Sequence, residues 1–345
     1  MKNKFLILCI FILLIVVGFC VFSGCKKEQK LYIYNWSYYT PDSVLRDFEK
    51  EFNCKVIYDV FSSNEEMYAK LKAGGSGYDI VFPSGDFASI MIKEKMVEKL
   101  DKSKILNFQY LDKNILAKIK FDPNNEYSVP YMMAAAGIAV NTKFVKDYPR
   151  DFSIYNDARF KNKMTLLDDM REVLGAALAS NGNSVNSKNP AELEKAKELV
   201  LSWKKNILKF DAESFGKGFA NEEFWVVQGY TENVFLELNQ EQKKNVDYFI
   251  PKKGGTMYID SMLILKDAKN KELAYKFINY IQSPKVAAQI SDFLYLPSIN
   301  VEARKFMKVK PNYQIEDMAN CEFKEDIGDG VELWNKIWQE INVES

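Results

Sequence analysis

Five short groups of residues along this 345-residue chain carry side chains capable of chemistry. Trp36, Ser37, Tyr38 and Tyr39 are consecutive; Ser84 and Asp86 flank a glycine; Asp169 and Glu172 stand three apart, as do Tyr230 and Asn233; Tyr258 precedes Asp260 by two. The set consists of rings, hydroxyls, an amide and carboxylates, with almost no cations. Aromatic faces attract a desolvated ammonium by about 0.5–2 kcal/mol each. Carboxylates add charge-assisted hydrogen bonds that orient and neutralise it, and flat rings bury methylene stems without requiring hydrogen bonds. Rings along a groove with acids near its ends suit a flexible aliphatic di- or triamine.

Other chemistries are narrowed by what is missing. The chain contains no histidine, which removes Ser-His and Cys-His nucleophiles, HExxH zinc sites and the commonest metal ligand. A secreted hydrolase using Asp169 and Asp260 as acid and base stays formally open. An anionic ligand fits poorly. Thr40 and Asp42 are placed to use the amides of the helix that follows Trp36, and no arginine is paired with the group. Singly, each residue also has a structural explanation: a ring at a strand end packs the rim of a core, Asp169 with Glu172 reads as a helix cap, and Asp260 as a turn acid.

These residues fall where strands are expected to stop. Residues 31–36, "LYIYNW", read as a strand, after which Thr40 offers an N-cap, Pro41 a first helical position, and Val44, Leu45, Phe48 and Phe52 one apolar helical face. "CKVIYDVF" at 54–61 reads as a second strand, "EEMYAKLKA" as a helix and "YDIVFPS" at 78–84 as a third strand. The same alternation returns in "MTLLDD", the helix-like "AELEKAKELVLSWKKNIL", "FWVVQGY" and "MYIDSMLIL", followed by two helices, the second opened by Ser283-Pro284. Such alternation predicts α/β architecture with mainly parallel sheets flanked by helices. Open parallel sheets bind ligands outside the carboxyl ends of their strands. The Gly74–Gly77 stretch lacks the Gly-Lys-Ser ending of a phosphate loop and reads as a helix-to-strand turn.

Composition places this machinery outside the cytoplasm. Lys2 and Lys4 precede an apolar run from Phe5 to Phe22 and the sequence Ser23-Gly24-Cys25, which reads as an export signal over residues 1–24. The small pair before Cys25 resembles a bacterial lipobox, with Phe22 where leucine is usual, and implies lipidation of Cys25. An uncleaved anchor and a plain secreted form are the alternatives, and all three export the folded part. The chain has equal numbers of basic and acidic residues, and nothing favours nucleic acid. Its length allows two domains with ordinary cores. Only Cys54 and Cys321 lie beyond the lipobox, and two buried thiols are expected there rather than a disulfide.

From "LYIYNW" to "EDIGDG" the chain resembles the bacterial spermidine/putrescine-binding proteins that serve ABC importers. The motifs are "YNWSYYTP", "VIYDVFSSNEEMYAKLKAG", "YDIVFPS", "FDPNNEYSVPY", "LLDDMREV", "PKKGG", "MYIDS" and "AKNKELAYKFINYIQSP", in order and at nearly family spacing. The resemblance implies a two-lobed periplasmic-binding-protein fold (type II) with two crossover segments. One lobe would hold residues 25–136 and 259–304, the other 137–258 and 305–345. Trp36 and Tyr39 match box aromatics, and Ser37 and Ser84 polar cleft residues. Asp169 and Glu172 match acids that grip one amine, Asp260 the carboxylate that holds another, and Tyr230 and Tyr258 stand where tryptophan is common. Tyr38 replaces a frequent acid, Asp86 supplies one where the spermidine-binding form has tyrosine, and Asn233 stands where putrescine-selective relatives have aspartate. Leu296 replaces a box tyrosine, for which the adjacent Tyr295 offers a substitute.

Lys324 occupies a position that is glutamine in the spermidine-binding form. Inside the cleft its ammonium would repel a third amine and favour putrescine; the alternative is that it points to solvent. The resemblance thus implies a monomeric, non-enzymatic lipoprotein on the periplasmic side or cell surface, with putrescine or spermidine and an ABC permease as partners and with no cofactor or metal. Carriage of another cationic solute, such as an amino acid, and an adhesin role on the same fold remain the competing expectations.

Overall fold

The computed structural model describes residues 28–74 and 77–344; the export signal, Cys25, and Gly75 and Ser76 of the glycine-rich turn lie outside the described residues. The first sheet begins with β1 (Gln29–Trp36), α1 (Asp42–Phe52), β2 (Cys54–Phe61), α2 (Asn64–Lys72), β3 (Ile80–Val81), α3 (Gly85–Lys93) and β4 (Val129–Ala135). β1 pairs in parallel with both β2 and β3. Leu31 and Ile33 are buried on one face of β1, while Tyr34 on the other stacks at 4.6 Å on Tyr78. Burial on both faces is what makes such a strand a near-continuous apolar run.

The stripe Val44, Phe48 carries α1 into the core. Its N-cap is Pro41, with no side-chain cap bond. Thr40, expected to cap, instead meets the Tyr131 hydroxyl at 3.1 Å and accepts from Asn35 Nδ2 at 3.3 Å. The helix stops at Asn53 in left-handed geometry, φ 49°, which asparagine tolerates well.

The second sheet contains β5 (Gly137–Asn141), β6 (Met164–Leu166), β7 (Ile207–Phe210), β8 (Val226–Gly229) and β9 (Val246–Phe249), in the order β7-β6-β8-β5-β9. With it go α4 (Met170–Ser180), α5 (Pro190–Lys204) and α6 (Thr231–Phe235). The long helical stretch predicted through residue 208 ends at Lys204, because Ile207 and Leu208 join the sheet edge in β7. The chain then returns to the first sheet as β10 (Thr256–Ile264), followed by α7 (Lys271–Ile281), α8 (Pro284–Leu294), β11 (Glu322–Phe323) and α9 (Val331–Val343). β10 runs antiparallel to β3 and β4 and parallel to β11, while α9 packs on α5 and joins it through a Lys197–Glu340 ion pair.

The crossing between sheets is tight. One residue separates β4 from β5, and a Cβ on Gly137 would stand 2.7 Å from the Phe249 carbonyl oxygen. The Tyr248 hydroxyl seals the place: it accepts from the Gly137 N–H at 2.9 Å and donates to the Gly229 carbonyl at 2.8 Å. Cys54 and Cys321 are separate buried thiols. Among the described residues no helix is long and apolar enough to cross a membrane.

Candidate functional site

The carboxyl ends of β1 and β3 and the middle of β10 meet at Asp260. An isolated bridge joins Ser84 to Asp260, beside an irregularity in β10 at Asp260 and Ser261. Asp260 is 2% exposed and accepts from the Tyr39 hydroxyl at 2.7 Å and the Ser84 hydroxyl at 2.6 Å. Burial pushes its carboxyl up to about 6, against the pull of those two donors and of Lys324. Tyr39 is held in turn by Tyr131, whose hydroxyl donates to the Tyr39 carbonyl at 2.6 Å. Trp36 lies beside this group, its indole N–H on the Phe82 carbonyl at 2.8 Å and its ring 4.5 Å from Phe61.

A second centre forms where β6 and β8 end. Asp169 caps α4 by accepting the Glu172 N–H at 3.0 Å. That cap turns Glu172 inward, fully buried, with Oε1 receiving the Lys324 ammonium at 2.7 Å and the Tyr230 hydroxyl at 3.3 Å, and Oε2 the Thr256 hydroxyl. The Tyr230 and Tyr258 rings pack edge to face at 5.5 Å, and the Lys324 ammonium stands 5.8 Å over the Tyr258 ring.

Lys324 does not point to solvent. Its side chain is 10% exposed, and its backbone N–H on the Met257 carbonyl at 3.0 Å ties it to β10. Burial alone would lower its pKa, but Glu172, Asp169 and Asp86 outweigh this and hold it above the ordinary lysine value. Asp86, half-buried in the first turn of α3, faces Lys324 and Asp260 electrostatically. A cavity of about 180 Å³ opens beside Lys324, bounded by Gly85, Phe121, Ile259 and Phe323.

Tyr39, Ser84, Asp86, Asp169, Glu172, Tyr230, Tyr258, Asp260 and Lys324 are thus linked, directly or through one neighbour, while Trp36 is held on Phe82 and Phe61 at the end of β1. Ser37 and Tyr38 sit at the rim: both are exposed, and Tyr38 takes a left-handed φ of 58°. Tyr38 and Asn233 line a small cavity of about 40 Å³ with Glu213 and Lys217. Tyr295 caps α8 with φ 57°, accepts from the Lys243 ammonium at 2.7 Å and packs 5.3 Å from Phe235. Leu296 is core.

Three residues in this region lacked a distinctive sequence signal. Thr256 and Tyr131 look like ordinary strand residues. Glu232, two residues past Tyr230, looks like any acid in a helix's first turn, yet it is 5% exposed and burial pushes its carboxyl up to about 8, with Asp260 adding to the shift.

Residues 43–314 match the family model described as bacterial extracellular solute-binding protein. The chain is 36% identical over 329 residues to the spermidine/putrescine-binding periplasmic protein of Salmonella typhimurium, spanning 92% of this chain and 93% of that one. It is 35% identical over 294 residues to the putrescine-binding periplasmic protein PotF of Escherichia coli, with 80% of each covered. Among solved structures it is similar to the TpPotD lipoprotein of Treponema pallidum, with a TM-score of 0.88, 44% identity, and coverage of 91% of this chain and 99% of that one.

Proposed function

Because the chain belongs to the bacterial extracellular solute-binding proteins, we propose that it captures a polyamine, putrescine or spermidine, between its two sheets and delivers it to an ABC import permease. One observation carries the chemistry of this proposal. An ammonium of the protein's own, Lys324, already lies against Glu172 and over the Tyr258 ring, so the groove accepts the cationic end of an alkyl amine. Asp86, Asp169 and Glu172 set three carboxylates against two cations, the Lys324 ammonium and the Arg171 guanidinium that the sequence did not pair with the group, which leaves room for one ligand ammonium at the same end. Asp260, fixed by Tyr39 and Ser84, is the acid for the other end. Trp36, Tyr230 and Tyr258 bury the methylene stem between them, while Ser37, Tyr38, Asn233 and Tyr295 shape the rim.

With Lys324 inside, a third amine meets a like charge, and putrescine is the preferred cargo. The lobes of this reading are 25–136 with 259–304 and 137–258 with 305–345, supported by the membership of β1–β4 and β5–β9 in separate sheets. β10 straddles those limits and β11 falls wholly in the range of the second lobe, yet residues 256–258 and 322–323 pair within the first sheet. Closure of the lobes is a population shift driven by the ligand's preference for the closed state. The protein works as a monomer without catalysis, held to the membrane through a lipid on Cys25. A lipoprotein among the similar structures supports the anchor.

A thermal-shift screen tests the assignment, since a ligand that binds only the folded chain raises its apparent stability. Putrescine and spermidine are expected to raise Tm, and neutral amino acids to leave it unchanged. A panel in which only a carboxylate-bearing solute raises Tm rejects the assignment.

A further inference from the structure

One buried acid takes no part in the arrangement described so far. Glu232 is 5% exposed, and its Oε2 has no hydrogen-bond partner among the described residues. It is carried by α6 on the second sheet, yet its charge acts on Asp260, Tyr39 and Tyr258, all supplied by first-sheet segments. Tyr230, Tyr248 and Tyr313 complete the ionisable groups it acts upon. The segments packed on α6 bring no counter-charge: Lys217 and Lys285 are exposed, and Asp292 accepts the backbone N–H groups of Lys308 and Val309. Glu232 and Asp260 thus act on each other electrostatically from segments of opposite sheets; neither forms an ion pair among the described residues, and the ammonium that acts on Asp260, Lys324, is held by Glu172. Two such carboxylates cannot both stay ionised in a site of low dielectric; one takes a proton, or a cation enters.

Resting on the polyamine reading, we propose that Glu232 is a ligand-binding residue: with Asp260 it seats one ammonium of the ligand, and in the empty protein a proton on Glu232 holds that place. Binding then exchanges one for the other. The carboxylic acid gives its proton to solvent, the ammonium arrives already charged, and its N–H groups donate to both carboxylates. Because the two acids come from different sheets, an ammonium held by both carboxylates also ties the sheets together, which the proton it replaces does not do. A neutral ligand of the same shape lacks this effect, so Glu232 makes closure selective for charge.

Calorimetry of the purified protein with putrescine, near neutral pH in buffers of different ionisation enthalpy, reads the exchange. The wild type is expected to release about one proton per putrescine bound and to gain up to about tenfold in affinity per pH unit while Glu232 is still protonated. Glu232→Gln is expected to release almost none, with a loss of affinity that grows from little at about pH 6 to about tenfold or more at about pH 8. Glu232→Asp keeps the charge with a shorter reach and is expected to bind more weakly while still releasing the proton. Ligand-free melting supplies a readout independent of any polyamine: between about pH 5 and pH 8 the wild type is expected to lose Tm relative to Glu232→Gln. Wild-type protein that gives no binding heat overturns the polyamine reading and this seat with it. Binding without proton release, or a Glu232→Gln variant that binds and releases as the wild type does, overturns the seat alone.

Discussion

Lys324 places its ammonium 2.7 Å from the Glu172 carboxylate, with the lysine side chain 10% exposed and the glutamate fully buried. The groove therefore contains a cation before any ligand arrives. A buried pair of this kind offsets its own desolvation only when further hydrogen bonds complete it. Here Tyr230 and Thr256 donate to the same carboxylate. The pair shortens the space open to a ligand's charges and sets the acids that remain, Asp86 and Asp169 at one end and Asp260 with Glu232 at the other.

Removing the internal cation is expected to change cargo preference. Lys324→Gln frees Glu172 for a third amine, so spermidine should gain on putrescine by roughly tenfold or more, the factor that corresponds to about 1.4 kcal/mol. Lys324→Met, which leaves the buried Glu172 carboxylate without its paired ammonium, is expected to cost about 3–5 kcal/mol of ligand-free stability. Titration of each variant with both polyamines, and denaturant melts without ligand, check the two effects. An unchanged ratio of affinities in Lys324→Gln would place the selectivity elsewhere.

Asp260→Asn removes the charge that two hydroxyl donors hold in place. The expected loss of polyamine affinity is about 1.5–3 kcal/mol, the usual worth of a hydrogen bond to a charged group. Calorimetry on the variant decides, and a dissociation constant equal to the wild type's would put Asp260 outside the ligand's reach.

The buried acids also fix a pH dependence. Asp260, raised to about 6, and Glu232, raised to about 8, keep protons in the folded chain that the unfolded chain releases near the ordinary carboxylate value of about 4. The folded state then binds more protons, so stability falls as pH rises. The contribution of Asp260 is lost between about pH 4 and pH 6, and that of Glu232 on up to about pH 8, beyond which the loss levels off. Melting of the ligand-free protein across this window checks the sign; a Tm that climbs steadily to about pH 8 contradicts it.

Tyr38 is expected to matter little for affinity. It is 53% exposed and strained at φ 58°, a region that asparagine enters more readily than tyrosine. Tyr38→Asn is expected to leave putrescine affinity within about twofold and to hold or raise stability by up to about 1 kcal/mol. A loss of more than tenfold in the same titration would make Tyr38 part of the binding surface.

Much of this was legible in the sequence, for physical reasons. The parallel strands β1 and β2 were readable as runs of apolar and ring-bearing residues bounded by turn and helix signals. The rule that ligands gather at strand ends then picked out Trp36, Tyr39, Ser84, Glu172 and Asp260 together. β3 is only two residues long, since the rest of its apolar run packs without a ladder, and periodicity does not separate those cases. Thr40 looks like a cap because its type suits one; its hydroxyl is used by Asn35, at the end of the preceding strand, and by Tyr131, far away in sequence. The direction of Lys324 was open because a lysine just past a two-residue strand has no pattern to fix its face. Glu232 gives no signal in the sequence, because an acid in a helix's first turn is ordinarily explained by the helix dipole, and only its burial sets it apart.

The central claim is that this groove binds a polyamine by its two charged ends. Isothermal titration of the wild-type protein with putrescine, spermidine and arginine tests it most directly. Saturable one-to-one binding of putrescine, tighter than that of spermidine and without binding of arginine, is the predicted result. Arginine binding with no heat from either polyamine would contradict it.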